Sequence, residues 1–262
     1  MPQRKDYINN PLPIAKDLKK LFNATDHVVI FDIGACEGED SIRYSRLFTN
    51  GKVYAFEPLP KNIELAKQNI EAYKATNVTL VPLAFSDKKG TAVFHVSSGT
   101  PEGQPPGEDW DYGNKSSSLL PPDKLLSVHK WLKFNEQLEV AADTITNFCT
   151  THHIQTIDFM HMDVQGAELM VLNGAGNLIS NIKAIWMEVG DISFYKNQPL
   201  RTDVEAFMHN HGFFLFKNSI NPIDKAGDQL YLNTKYYRPN RFKWFNLFPV
   251  KKLLTNNIKK GL

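Results

Sequence analysis

The sequence predicts an α/β fold: a mostly parallel, seven-stranded sheet with helices on both faces and a C-terminal antiparallel hairpin. Three observations point there. Apolar runs of strand length alternate with helical patterns in a β-α-β order through most of the 262 residues. The run Val28-Val29-Ile30-Phe31 ends on Asp32 and passes into a glycine turn, Gly34 to Gly38, that opens a helix. A second run, Val53-Tyr54-Ala55-Phe56, ends on Glu57 about twenty residues further on. A strand, a glycine turn, a helix and a second strand closed by an acid make up the Rossmann-like device for holding the adenosine part of a cofactor.

Taken in order, the first strand ends at Asp32 and a helix is expected over residues 40–48. A second strand covers 53–57, a helix 61–73 and a third strand 78–85, and a short strand over 91–96 follows the turn at Lys89-Gly90. Regularity then fails over 97–118, which holds Pro101, Pro105, Pro106, Trp110 and Tyr112. A long irregular segment inside a domain is either a functional loop or an unstructured one; over the cofactor cleft it would make a substrate lid. Order resumes with a strand over 138–141, a helix over 144–152 capped by Asp143, a strand over 157–164 and a helix over 167–179. A strand over 184–189 and a helix over 202–211, stopped by Gly212, lead to strands over 213–216 and 229–233 that read as the closing hairpin. Residues 1–237 are expected to form this domain and 238–262 a tail.

The turn reads Asp32-x-Gly34-x-x-x-Gly38, with Glu37 inside it, rather than Gly-x-Gly-x-x-Gly. Acids there repel a pyrophosphate and suit a cationic ligand carrying an amino group and a sulfonium, so the spacing favours S-adenosylmethionine over NAD. Gly34 and Ala35 give close backbone approach, and Asp32 is positioned to favour the amino group of the methionine part, directly or through water. Glu57, followed by Pro58, takes the ribose hydroxyls; Ser86 and Asp87, after the third strand, fall near the adenine.

The rest of the composition narrows the setting. The two cysteines are Cys36, in the turn, and Cys149, an arrangement that argues against a disulfide and for a reducing compartment. The N-terminus lacks the apolar core of a signal peptide and no apolar run is long enough to span a bilayer, so the expected location is cytoplasmic. The net charge of +2 hides an asymmetry: residues 238–262 carry seven Lys and Arg and no acid, leaving 23 basic against 28 acidic residues elsewhere. Phe242, Trp244, Phe245 and Phe248 lie among those charges. Such a tail either contacts a membrane surface or docks its aromatics on the domain; Pro249 interrupts any single amphipathic helix there.

Asp32, Glu57, Asp163 and Glu188 each close a predicted strand, so all four acids fall on the carboxyl edge of the sheet, where ligands of this fold bind. At these residues the chain resembles the FkbM-type methyltransferases. The resemblance is carried by Phe31-Asp32-Ile33-Gly34-Ala35-Cys36-Glu37-Gly38, by Ala55-Phe56-Glu57-Pro58, and by Met162-Asp163-Val164-Gln165-Gly166-Ala167-Glu168-Leu169. Ser117-Ser118-Leu119-Leu120 and Ile185-Trp186-Met187-Glu188-Val189 extend it, over about residues 28–216. It implies a class I methyltransferase that uses S-adenosylmethionine to O-methylate sugars, glycolipids or polyketide hydroxyls. The family turn usually has asparagine where this chain has Cys36, and often glutamate where it has Gln165, an amide that cannot serve as a base.

Methyl transfer to a hydroxyl needs alignment and a proton acceptor. Asp163 is the best-placed candidate, then Glu188, then Glu168 in the first turn of a helix; His161 shares a strand face with Asp163. Clustered carboxylates suit Mg²⁺, although no ligand spacing singles it out. The leading expectation is O-methylation of a sugar, glycan or glycolipid hydroxyl, with the tail placing the enzyme on a membrane. An alternative is a nucleic-acid methyltransferase that uses the tail as a phosphate contact, although amino-methylating enzymes of this fold usually carry an Asn/Asp-Pro-Pro-aromatic motif where this chain has Asp163-Val164-Gln165-Gly166. A non-catalytic binding module would have shed the cofactor acids.

Overall fold

A computed structural model of the chain describes residues 4–103, 112–223 and 225–239. The main sheet takes the order β3-β2-β1-β7-β8-β10-β9, from β1 (Val29–Ile33), β2 (Lys52–Phe56), β3 (Val78–Val81), β7 (Ile157–Met162), β8 (Ile182–Gly190), β9 (Phe213–Asn221) and β10 (Ala226–Asn233). β1, β2, β3, β7 and β8 run parallel, and β10 is antiparallel to both β8 and β9. The expected seven strands and closing hairpin are present. β1 lies between β2 and β7, so the connections leave it in opposite directions and open a crevice at its carboxyl end.

Strand alternation divides the core into two layers. Phe31, Phe56, Phe85 and Phe148 meet on one face, with Phe56 4.5 Å from Phe85 and 5.0 Å from Phe148 between ring centroids. Ile30, Val53, Phe159 and Leu230 line the other. There they pack against α3 (Glu39–Leu47) and the N-terminal helix α2 (Ala15–Leu21), while Ile8 of a second N-terminal helix, α1 (Arg4–Asn9), packs with Ile42 of α3 and Ala75. The N-terminal helices were not anticipated, although Ile14, Leu18 and Phe22 recur at helical spacing and are all buried. They also clamp α3: Arg43 donates to the carbonyls of Asn10 and Pro11, and Arg46 to that of Ile8.

Three expected elements are corrected. The strand over 78–85 is two strands, because Pro82 has no N–H for the ladder. β3 stays in the main sheet, while β4 (Ala84–Phe85) joins β5 (Gly90–Ser98) and β6 (Lys133–Asp143) in a second sheet of order β4-β6-β5. The helix over 167–179 breaks into α7 (Glu168–Asn173) and a 3₁₀ turn (Gly176–Asn181). At the break Gly174 packs so closely that a Cβ would stand 2.2 Å from the Ser86 carbonyl oxygen. The N-cap of α6 (Ile145–Thr151) is Thr144, which accepts from the Asn147 amide; Asp143 stands one place earlier and accepts from Thr144. The remaining helices are α4 (Pro60–Ala72), α5 (Leu125–Val128) and α8 (Arg201–Asn210).

The middle of the expected lid and all but two residues of the expected tail lie outside the described residues. Among the described residues no helix is long and apolar enough to cross a membrane.

Candidate active site

Two pockets open along the carboxyl edge of the main sheet. The first is floored by the β1 turn and by the ends of β2 and β7. Glu57, Asn62, Asn114 and Asp163 are among the polar groups that line it, while Leu83, Ala84, Phe85, Phe94 and Leu119 make an apolar wall. The second is walled by Leu125, Trp131, Leu132, Phe194 and Tyr195, with Glu168 and Glu188 among its lining residues. Gln165 is the one described residue that lines both.

Backbone geometry builds the first pocket. Gly34 and Gly38 have φ of +83° and +79°, a region that glycine enters freely. The Gly34 and Ala35 amides both donate to the Phe56 carbonyl, at 3.0 and 2.9 Å, which draws the turn against β2. Cys36 also takes a positive φ, +49°, a conformation that asparagine adopts more readily than cysteine. The Glu57 carboxylate accepts from the amides of Cys36 and Leu59, each at 2.9 Å, and from Asn62 Nδ2 at 3.4 Å. Burial raises its pKa to about 7 even though those donors oppose the shift. Pro58 lines the pocket beside it.

Several expected cofactor contacts stand elsewhere. Asp32 is buried beneath the turn and lines neither pocket: it accepts from Ser41 at 2.5 Å and pairs with His161 Nδ1 at 2.9 Å. In β1 and β7 Asp32 and His161 stand opposite one another in register. Burial disfavours the imidazolium, but the Asp32 hydrogen bond and the charges of Asp32, Asp40 and Asp163 outweigh it and carry its pKa to about 9. That pKa favours the imidazolium, which makes His161 the partner of Asp32 in a buried ion pair. Glu37 is also buried and is held by Asn114 Nδ2 at 2.8 Å. Ser86 and Asp87 bond to each other at 3.3 Å, outside the pocket lining, because the chain has by then entered the second sheet. That end of the pocket is apolar instead.

Asp163, Gln165 and Glu188 meet where the pockets join. Gln165 Nε2 donates to Asp163 Oδ1 at 2.6 Å and to Glu188 Oε2 at 3.0 Å. Its backbone is left-handed, φ +54°, and its carbonyl accepts from Ser118 Oγ at 2.8 Å. Tyr195 Oη lies 2.9 Å from Gln165 Oε1 and 2.7 Å from the Ser116 carbonyl, both acceptors of its single hydrogen. Burial, with the charges of Asp163, Glu168 and Asp228, holds the Glu188 carboxyl well above the usual carboxylate range. Glu168 accepts from the Gly166 amide at 3.2 Å, and burial raises its pKa to about 7. Among the described residues no group of three or more His, Cys, Asp or Glu is arranged to hold a metal ion.

Sequence reasoning missed Asn62, Asn114, Lys115 and Tyr195. Asn114 and Lys115 lie in an irregular segment, where no period marks which side chains turn inward. Lys115 pairs with Glu39 at 2.7 Å, so the end of the expected lid is fastened to the first helix after the turn.

Comparison with known proteins adds to this geometry. A family described as the methyltransferase FkbM domain matches residues 32–215. The 2-O-methyltransferase NoeI of Sinorhizobium fredii is 28% identical over 225 residues, spanning 86% of each chain. A protein-L-isoaspartate O-methyltransferase of Methanococcoides burtonii is 32% identical over 87 residues, 29% of this chain and 43% of its own. Among solved structures, M. capricolum TrmK in complex with S-adenosylhomocysteine aligns at 12% identity and a TM-score of 0.46, covering 85% of this chain and 68% of the other.

Proposed function

The chain belongs to the FkbM methyltransferase family, and within S-adenosylmethionine-dependent O-methylation we propose that its acceptor is a neutral sugar hydroxyl, free or in a glycan or glycolipid. The observation that carries this reading is the second pocket. Aromatic and aliphatic walls suit the C–H faces of a sugar ring, and carboxylates accept hydrogen bonds from its hydroxyls. None of the described residues lining it is Lys or Arg. A phosphate-bearing acceptor would face Glu168 and Glu188 with His129 alone among the described lining residues able to carry positive charge, which weighs against a nucleic-acid substrate.

The residues of the first pocket fit the cofactor. Gly34 lets the turn lie against the end of β7, the apolar wall suits a purine, and Glu57 Oε2, which accepts only from Cys36, keeps a lone pair for a ribose hydroxyl. When bound, S-adenosylmethionine supplies a sulfonium methyl that the acceptor oxygen attacks as the carbon–sulfur bond breaks, its electron pair passing to sulfur. The chain's own part is to exclude water, align the hydroxyl and take its proton. Asp163 and Glu188 flank Gln165 at the junction of the pockets and are the groups we assign to that proton. Burial and the neighbouring acids raise the Glu188 pKa. Glu168, deeper in the second pocket, is assigned to acceptor hydroxyls.

The test is methyl transfer from labelled S-adenosylmethionine to three acceptor panels: neutral glycans and glycosides, sugar phosphates, and RNA. Label in the neutral panel alone is the expected result. Label confined to RNA or phosphorylated sugars would overturn the sugar reading.

A further inference from the structure

Residues 112–117 form a partition between the two pockets. Tyr112 and Ser116 line the second, while Asn114, Lys115 and Ser117 line the first. Asn114 is buried in this partition, on the 3₁₀ turn Asn114–Ser116. Its Nδ2 donates to Glu37 Oε1 at 2.8 Å and to Asn62 Oδ1 at 3.2 Å, which uses both amide hydrogens. The opposite amide orientation would set Oδ1 against the Glu37 carboxylate, so these partners fix the assignment. Oδ1 is then the one buried side-chain N or O atom among the described residues with no hydrogen-bond partner. Leaving such an acceptor unpaired is costly, and its residue lines the first pocket.

We propose that Asn114 is a nucleoside-binding residue whose Oδ1 accepts a hydrogen bond from a ribose hydroxyl of the cofactor, and that this contact couples cofactor binding to the wall of the acceptor pocket. Position favours the ribose over the purine. Asn62 bridges Asn114 to Glu57, with its Nδ2 3.4 Å from Glu57 Oε1. Asn114 therefore stands one amide from the acid assigned to the ribose, and Leu83, Ala84, Phe85 and Phe94 form the apolar wall suited to the purine. A ribose has two adjacent hydroxyls, each with one hydrogen to donate. Glu57 takes one and Asn114 the other. Filling Oδ1 secures the turn that also carries Ser116, whose carbonyl lies 2.7 Å from Tyr195 Oη in the acceptor wall. Cofactor thus binds first and completes the acceptor pocket.

This proposal rests on the first pocket being the nucleoside site, and calorimetric titration of the full chain with S-adenosylhomocysteine separates the two claims. Wild type that fails to bind overturns the pocket assignment itself. Where wild type binds, Asn114→Ala is expected to weaken affinity about three- to tenfold, the worth of one hydrogen bond. The 2′-deoxy and 3′-deoxy analogues locate the contact: with one of them the Asn114→Ala loss vanishes, and with the other it persists, as pairwise coupling requires. Equal affinity of the variant, or an undiminished loss with both analogues, would overturn the proposal. A measurement on wild type needs no variant to fold: amide hydrogen exchange over 113–118 slows on binding S-adenosylhomocysteine, and slows less with the analogue that lacks the contacting hydroxyl. Unchanged exchange over that segment would overturn the coupling.

Discussion

Gly34 and Asp163 touch backbone to backbone: a Cβ on Gly34 would lie 2.0 Å from the Asp163 carbonyl oxygen. The contact joins the cofactor turn to the end of β7, where the Asp163 amide also donates to the Ile33 carbonyl at 3.0 Å. Gly34→Ala must therefore part the two strand ends and hold a side chain at φ +83°. The left-handed conformation alone costs about 1–2 kcal/mol, and the clash adds to it. Urea denaturation is expected to show a loss above about 2 kcal/mol, with binding of S-adenosylhomocysteine lost in parallel. A wild-type midpoint in the variant would refute the close approach.

Glu57 makes cofactor binding depend on pH. Its folded pKa of about 7 lies above the ordinary 4.5, chiefly through burial. As a raised acid it stabilises the cofactor-free fold most at low pH, and that contribution fades as pH rises from about 4.5 through 7. The ribose hydroxyls need the carboxylate as acceptor, so affinity for S-adenosylhomocysteine is expected to fall below pH 7, by up to about tenfold per unit. Titrations from pH 5.5 to 8.5 would show the slope, and Glu57→Gln should flatten it. A slope that survives in Glu57→Gln belongs to another group.

Much of this arrangement could be read from residue types. The strand–turn–strand pattern at Asp32, Gly34 and Glu57 specified β1, β2 and the pocket floor, because glycine conformations and strand-end acids are local signals. Asp163 and Glu188 were legible for the same reason. Side-chain pairing across the sheet was not. Asp32 and His161 are 129 residues apart, and only the parallel register of β1 with β7 makes them an ion pair. The division of the third strand at Pro82 could have been foreseen from proline's missing N–H. The inward turn of Asn114 could not, since an irregular segment has no period to count.

The His161–Asp32 pair should appear in the stability profile at higher pH. The imidazole titrates near 6.5 when unfolded and at about 9 when folded. Its contribution is complete below pH 6.5 and is lost as pH rises through 9. His161→Gln is expected to be less stable than wild type at pH 6, with the difference narrowing by pH 9.5. Denaturation midpoints across that range give the comparison. A constant gap would mean that folding does not raise the histidine's pKa.

Gln165 should be intolerant of charge in a pH-dependent way. Its two amide hydrogens go one each to Asp163 and Glu188, at 2.6 and 3.0 Å. Gln165→Glu removes both donors and puts a third carboxylate between two acids. At pH 8 the expected cost is about 1 kcal/mol, that of the lost hydrogen bonds, since Glu188 is half-buried and Asp163 exposed. One acid of the cluster can recover a hydrogen bond by taking a proton, so its folded pKa rises and the cost shrinks as pH falls toward 5. Mg²⁺ offers the other remedy, since three carboxylates at one point suit a hard cation. Millimolar Mg²⁺ should raise the variant's midpoint at pH 8 by more than it raises that of wild type. Equal midpoints for variant and wild type at pH 8 would show that the amide does not hold the two acids together.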